Sequence, residues 1–155
     1  MKTLQIFLIS SILIFISSCG TAQNNNSEKL VETMLFDFYS KHFYTWRNTP
    51  ISNTSPVTVL YEKLDSLMQK YCTSKLRKEA REVFENVGAD FLTNNLIGDL
   101  NENLKVVKDA RMENDYIVSF LATYLDAPGG QTKKQVTVNV TIIKEGESYK
   151  IDSVR

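Results

Sequence analysis

The sequence predicts an α+β fold in which N-terminal helices pack on a four-stranded antiparallel meander. Three observations carry this. Between residues 28 and 87, apolar side chains recur at spacings of three and four, the helical period. From residue 104 onward the period becomes two, that of a strand with distinct faces. Short turn-forming stretches separate the alternating runs, so consecutive strands pair as hairpins, and helices set apart from such a sheet define the class.

The first helix is expected over 28–46, with Ser27 as N-cap. Val31, Met34, Leu35, Phe38, Tyr39, His42, Phe43 and Trp46 form a broad aromatic stripe, and Asp37 and Lys41 pair outside it. Residues 47–56, with two prolines among Asn, Ser and Thr, read as a loop. Ser55-Pro56 is a cap followed by a first-turn proline. The second helix then runs to Cys72 with Leu60, Leu64, Leu67, Met68 and Tyr71 on one face. Ser74 is read as the cap of a third helix that turns Leu76, Ala80, Val83, Phe84 and Val87 inward and ends at Gly88. Its charged residues mix both signs, as a solvated face does.

Residues 89–103 have weak periodicity; Phe91, Leu92, Leu96 and Ile97 are expected to plug the core. Four strands follow, over 104–112, 116–126, 133–143 and 148–154. The third alternates cleanly, with Val136, Val138, Val140 and Ile142 inward and Thr137, Asn139 and Thr141 outward. The second is apolar on both faces: Val118, Phe120, Ala122 and Tyr124 on one, Ile117, Leu121 and Leu125 on the other. Such a strand calls for cover on both sides. The outer sheet face is therefore expected to meet a second copy of the chain or a protein partner.

The N-terminus has secretory grammar. Lys2 precedes an apolar run over 4–16 that is short for a membrane span, and small residues follow. Ile16-Ser17-Ser18-Cys19 resembles the bacterial lipobox. That resemblance implies a signal peptide over 1–18, cleavage before Cys19 and lipid on the Cys19 thiol. The alternative is an ordinary secretory signal cut nearby. Two or more acyl chains suffice for stable anchoring to a bilayer. Residues 19–27 would then be the lipidated cysteine and a flexible polar tether, whose residues 21–27 reach about 25 Å at most, and 28–155 a single α+β domain. Among lipoproteins of the Bacteroidetes type an acidic run just after the cysteine marks export to the cell surface; none follows Cys19, so a likeness to them implies a cell-envelope setting that faces the periplasm.

Removing residues 1–18 from the 155 leaves a 137-residue chain, enough for one domain with its own core. It keeps 17 basic side chains against 18 acidic, a net charge of −1 that gives no field for nucleic acid. Of two cysteines, Cys19 would be spent on lipid; Cys72 then has no intramolecular disulfide partner and reads as a small buried apolar residue or, alternatively, a reactive thiol.

His42 is the single histidine. One reading is a hydrogen-bonded core histidine; the other is a ligand or base in a pocket between the first helix and the sheet. Asp90 is read as a turn-closing acceptor or, alternatively, a catalytic acid. Tyr39, His42, Trp46 and Asp90 are thus the candidate pocket residues. No metal site, cofactor fingerprint or nucleophile motif stands out.

Phe36-Asp37-Phe38-Tyr39 with Phe43-Tyr44, Asp90-Phe91-Leu92, and the closing run from Tyr149 to Val154 together resemble a family of uncharacterised bacterial, Bacteroidetes-type, secreted domains and lipoproteins. The resemblance implies a nuclear-transport-factor-2-like, or cystatin-like, fold, with a long helix packed into a curved antiparallel sheet. That family usually places a proline between the aspartate and the phenylalanine; here Phe91 follows Asp90 directly. The resemblance brings no established activity, and fold does not stand in for function. The leading expectation is a membrane-anchored, non-enzymatic binding domain for a small ligand or protein. The alternatives are an immunity-type lipoprotein that neutralises a toxin, and a pocket hydrolase or isomerase using His42 and Asp90.

Overall fold

The computed structural model describes residues 19–49, 57–93, 95–96, 100–126 and 130–155. Three helices precede the sheet: α1 (Cys19–Arg47), α2 (Val57–Tyr71) and α3 (Ser74–Val87). Two short strands, β1 (Ala89–Asp90) and β2 (Asn95–Leu96), pair with each other. Then come β3 (Leu100–Lys108), β4 (Asp115–Asp126), β5 (Gly130–Glu145) and β6 (Ser148–Val154), antiparallel in the order β3-β4-β5-β6. This is the α+β class expected from the change of period. The signal segment 1–18, the cap pair Ser55-Pro56 and Ile97 lie outside the described residues.

The stripe of α1 is the spine of the core. Leu35, Phe38 and Tyr39 are fully buried, and Val31, His42 and Phe43 nearly so. Phe36 and Tyr44, off the stripe, are at least half exposed. α1 lies against β3 and α2, and α3 against β1 and β6. Phe43 meets Phe120 of β4 edge-on with ring centroids 5.0 Å apart, filling the space between helix and sheet. The inner sheet face is the expected one: Val118, Phe120, Ala122, Val138, Val140 and Ile142 are buried.

Several boundaries differ from expectation. α1 begins at Cys19, not near Glu28, so Ser27 lies inside the helix instead of capping it. Once a helix is nucleated, each further turn costs little, and polar residues with nothing to bury can continue it. At about 1.5 Å of rise per residue, residues 21–27 span about 10 Å rather than 25 Å. The cap of α3 is Thr73, not Ser74: its backbone is extended and its Oγ1 accepts the Leu76 N–H at 3.2 Å. Thr73 holds that position because its own N–H donates to the Ile151 carbonyl at 2.9 Å, beside a parallel bridge between Cys72 and Ile151. Val87, expected inward, is 69% exposed in the last turn, before Gly88 reverses the chain at φ 70.

β3 ends at Lys108, four residues early. Asp109 folds back on the chain, its carboxylate accepting the Arg111 backbone N–H at 2.9 Å and pairing with the Arg111 guanidinium. That turn replaces the shorter one expected at 113–115. At its other end β3 is irregular: the register slips between Glu102 and Lys105, and Asn103 takes φ 54. β5 is longer than its apolar run because twelve residues of β4 pair with it, from Asp115↔Thr141 to Asp126↔Gly130.

On the outer sheet face Ile117 and Leu121 are half-buried, and Val107, paired with Ile117, is 50% exposed. The neighbours Ser119, Thr137, Asn139 and Thr141 are polar, so the apolar part of that face is a narrow strip. No described helix is long and apolar enough to cross a membrane.

Candidate functional site

The residues singled out in the sequence do come together. Tyr39, His42 and Trp46 stand three and four apart on α1, one above the other on its inner face. Asp90 reaches them from the other side. Gly88 closes α3 in the left-handed conformation that only glycine adopts freely, and the chain turns into β1.

Asp90 organises the turn that follows. Its Oδ1 accepts the Leu92 N–H at 3.1 Å and its Oδ2 accepts the Thr93 hydroxyl at 2.5 Å. The Tyr39 hydroxyl donates to the Leu92 carbonyl at 3.1 Å, so α1 grips the same turn. His42 Nε2 lies 3.1 Å from Asp90 Oδ2. The contact has the distance of an ion pair without the alignment of a hydrogen bond, and both ring nitrogens of His42 are otherwise without a partner among the described residues. The Trp46 ring stacks on the imidazole at 14° and 6.4 Å. Its indole N–H draws near enough to Asp90 to favour the carboxylate, yet is not aligned for a full hydrogen bond.

Burial governs the charges here. Burial pushes the Asp90 carboxyl above its usual range, against the pull of His42, the Thr93 hydroxyl, the Leu92 N–H and Trp46. Burial also lowers His42, with Asp90 opposing, which favours the neutral imidazole. Tyr39 is pushed well above its ordinary value by burial. The Cys72 thiol, buried in the same core, is pushed up to about 12 by burial and is therefore no thiolate nucleophile at neutral pH.

The pocket expected between α1 and the sheet is instead packed core. Tyr39 is 0% exposed, His42 1% and Asp90 7%. The cavity that touches His42 and Asp90 lies toward α2 and α3 and holds about 20 Å³. That is room for one water-sized molecule, against several hundred Å³ for a small-molecule site. A general base needs to reach the proton it takes, and in this structure the His42 side chain is 1% exposed. Asp90 does what a turn-closing acceptor does.

Open concavity lies elsewhere. Between the start of α2 and the end of α3 a surface groove of about 440 Å³ is walled by Val57, Tyr61 and Phe84, with Glu62, Arg81 and Glu85 at its rim. Tyr61 and Phe84 also line the small cavity beside His42, so these two rings separate the groove from the buried pair. Tyr61 was not part of the expected face of α2, although it stands in helical register with Leu64, Met68 and Tyr71. That register was the available signal.

No known family model matches the chain, and no curated protein resembles it significantly. Among solved structures, a crystal structure of a protein of unknown function from Bacteroides thetaiotaomicron VPI-5482 superimposes with a TM-score of 0.67 and 22% identity. The match covers 87% of this chain and 95% of that one. Identity this low speaks for fold alone. The chain thus shares its α+β architecture with an uncharacterised protein from the Bacteroidetes.

Proposed function

We propose that the chain is a lipid-anchored protein of the bacterial cell envelope, facing the periplasm, whose nuclear-transport-factor-2-like domain binds a small ligand or protein without turning it over. The lipobox-like run ending at Cys19 supports the anchor. The observation that carries the binding reading is a contrast. The one histidine and its acid partner are sealed beside a cavity of about 20 Å³, whereas the aromatic groove between α2 and α3 offers about 440 Å³ at the surface. Aromatic walls with few polar groups suit binding and orientation. The narrow apolar strip at Val107, Ile117 and Leu121 is a second surface on which a protein or another copy of the chain could pack.

Two measurements test this. Intact mass of the membrane fraction is expected to show lipid on Cys19, and Cys19→Ala is expected to release the protein; unchanged membrane association would remove the anchor. Turnover of a small molecule by purified protein, abolished by His42→Phe with the fold intact, would overturn the non-enzymatic reading.

A further inference from the structure

The residue expected to carry lipid is also the first residue of the helix that forms the spine of the core. α1 is one helix from Cys19 to Arg47, so its axis joins the anchor to both ends of the domain. One end lies near its start. Ser27 and Glu28 share a surface concavity with Glu113 and Asn114 of the β3–β4 turn and with Lys144 beside the β5–β6 turn. Glu32, one turn further on, accepts the Lys108 N–H at 3.3 Å. From Cys19 to Ser27 the same helix continues ahead of that end by about 12 Å. The other end lies at the last turn of α1. There the Trp46 and Phe84 rings are 6.3 Å apart, and Phe84 walls the groove between α2 and α3. Between Ser27 and Trp46 the axis covers about 30 Å.

We propose that the end bearing the β3–β4 and β5–β6 turns is the face that this protein turns to the bilayer, with α1 as a stalk that holds the groove between α2 and α3 on the far side. The inference rests on the lipid anchor proposed above and adds an orientation to it. A coil between lipid and domain would let the domain tumble, whereas a helix continuous with the core passes on its direction. The turns themselves do not attract lipid. Met112, in the first of them, is 56% exposed, but Arg111 and Lys144 stand against Asp109, Glu113, Glu145 and Glu147. A surplus of acid gives no pull toward anionic headgroups, so the contact follows from the anchor and not from charge. The groove then stands about 40 Å along α1 from Cys19. Its ligand arrives from the aqueous side, as a soluble molecule or a protein and not as a lipid of the same membrane.

The test places a donor dye at Met112→Cys or at Val87→Cys in the full chain, purified with its lipid and reconstituted in vesicles whose headgroups carry an acceptor dye. Both positions are exposed, and Val87 adjoins Gly88 of the groove. Cys72 is buried and its thiol is held protonated by that burial, so the dye goes to the new cysteine. Energy transfer is expected to be about twofold or more higher from position 112 than from position 87, given about 30 Å between the two ends. Asn26→Pro, at an exposed position ahead of the core, interrupts the helix. It is expected to bring the two values together while the protein stays on the vesicles. Cys19→Ala is expected to abolish transfer from both positions. Equal transfer from the two positions in the lipidated protein, or more from position 87, would overturn the orientation while leaving the anchor in place. A contrast that survives Asn26→Pro would overturn the role of α1 as a stalk. Transfer that survives Cys19→Ala would show that the turns seek lipid by themselves and would overturn the charge argument. Absence of lipid on Cys19 by intact mass would overturn the anchor, and this orientation with it.

Discussion

Replacing Asp90 with alanine is the sharpest probe of the buried cluster. The substitution removes the acceptor for the Leu92 N–H and for the Thr93 hydroxyl, both fully or nearly fully buried. It also takes the charge partner from His42, 3.1 Å away. Each stranded buried donor costs about 1–3 kcal/mol. Against this stands the relief of no longer burying a carboxylate, whose raised pKa shows that burial works against it. Two stranded donors less that relief give an expected loss of about 2–4 kcal/mol. Asp90→Asn keeps an acceptor for Leu92 and is expected to lose less, about 1–2 kcal/mol. Urea unfolding followed by the fluorescence of Trp46, the single tryptophan and the ring stacked on His42, reads both. A loss below about 1 kcal/mol for Asp90→Ala would refute the account of Asp90 as the turn's organiser.

Other perturbations test the remaining parts. Val138→Asp, at a position 1% exposed, is expected to lose several kcal/mol by burying an unpaired carboxylate, whereas Asn139→Asp on the opposite face is expected to be near neutral; equal melting shifts would contradict the register. His42 has a lowered pKa in the folded state, so its contribution is present above the ordinary histidine value of about 6.5 and is lost as pH falls through the lower folded value. Asp90, raised, acts with the opposite sign: its contribution is present below the ordinary carboxyl value and fades as pH rises through the folded one. His42→Phe is expected to remove the first slope from a stability profile between pH 7 and 5; an unchanged slope would mean that another group titrates there. Gly88→Ala forces a side chain into φ 70 and is expected to cost about 1 kcal/mol by thermal unfolding.

Much of this fold was legible because each element repeats one simple rule. The α1 stripe and the β5 alternation name their buried residues from spacing alone, and the structure agrees at Leu35, Phe38, Val138 and Val140. Boundaries were less legible where a distant group decides them. Thr73, not Ser74, caps α3 because the Ile151 carbonyl holds its N–H. β3 stops at Lys108 because the carboxylate of Asp109 turns back to Arg111. The site shows the same division. Residue type was enough to suggest that Asp90 closes a turn and that His42 faces inward. Periodicity says which face points in, but not how much room is left there. Phe120 and Leu92 take up that room, and both arrive from far along the chain.

The hydrogen bond from Thr73 to Ile151 has a consequence for how the protein is made. The corner between α2 and α3 is completed by a carbonyl of β6, which follows the other described strands in the sequence. Lys150 adds a second tie to the same corner, its Nζ donating to the Lys70 carbonyl at 2.6 Å. While the helical half emerges from the ribosome, its corner lacks the strand that satisfies it. The Thr73 N–H and the Lys70 carbonyl at that corner gain these partners only when β6 is in place. A stop codon placed just before β6 would remove more than one edge of the sheet: it would leave the helices with no corner to close.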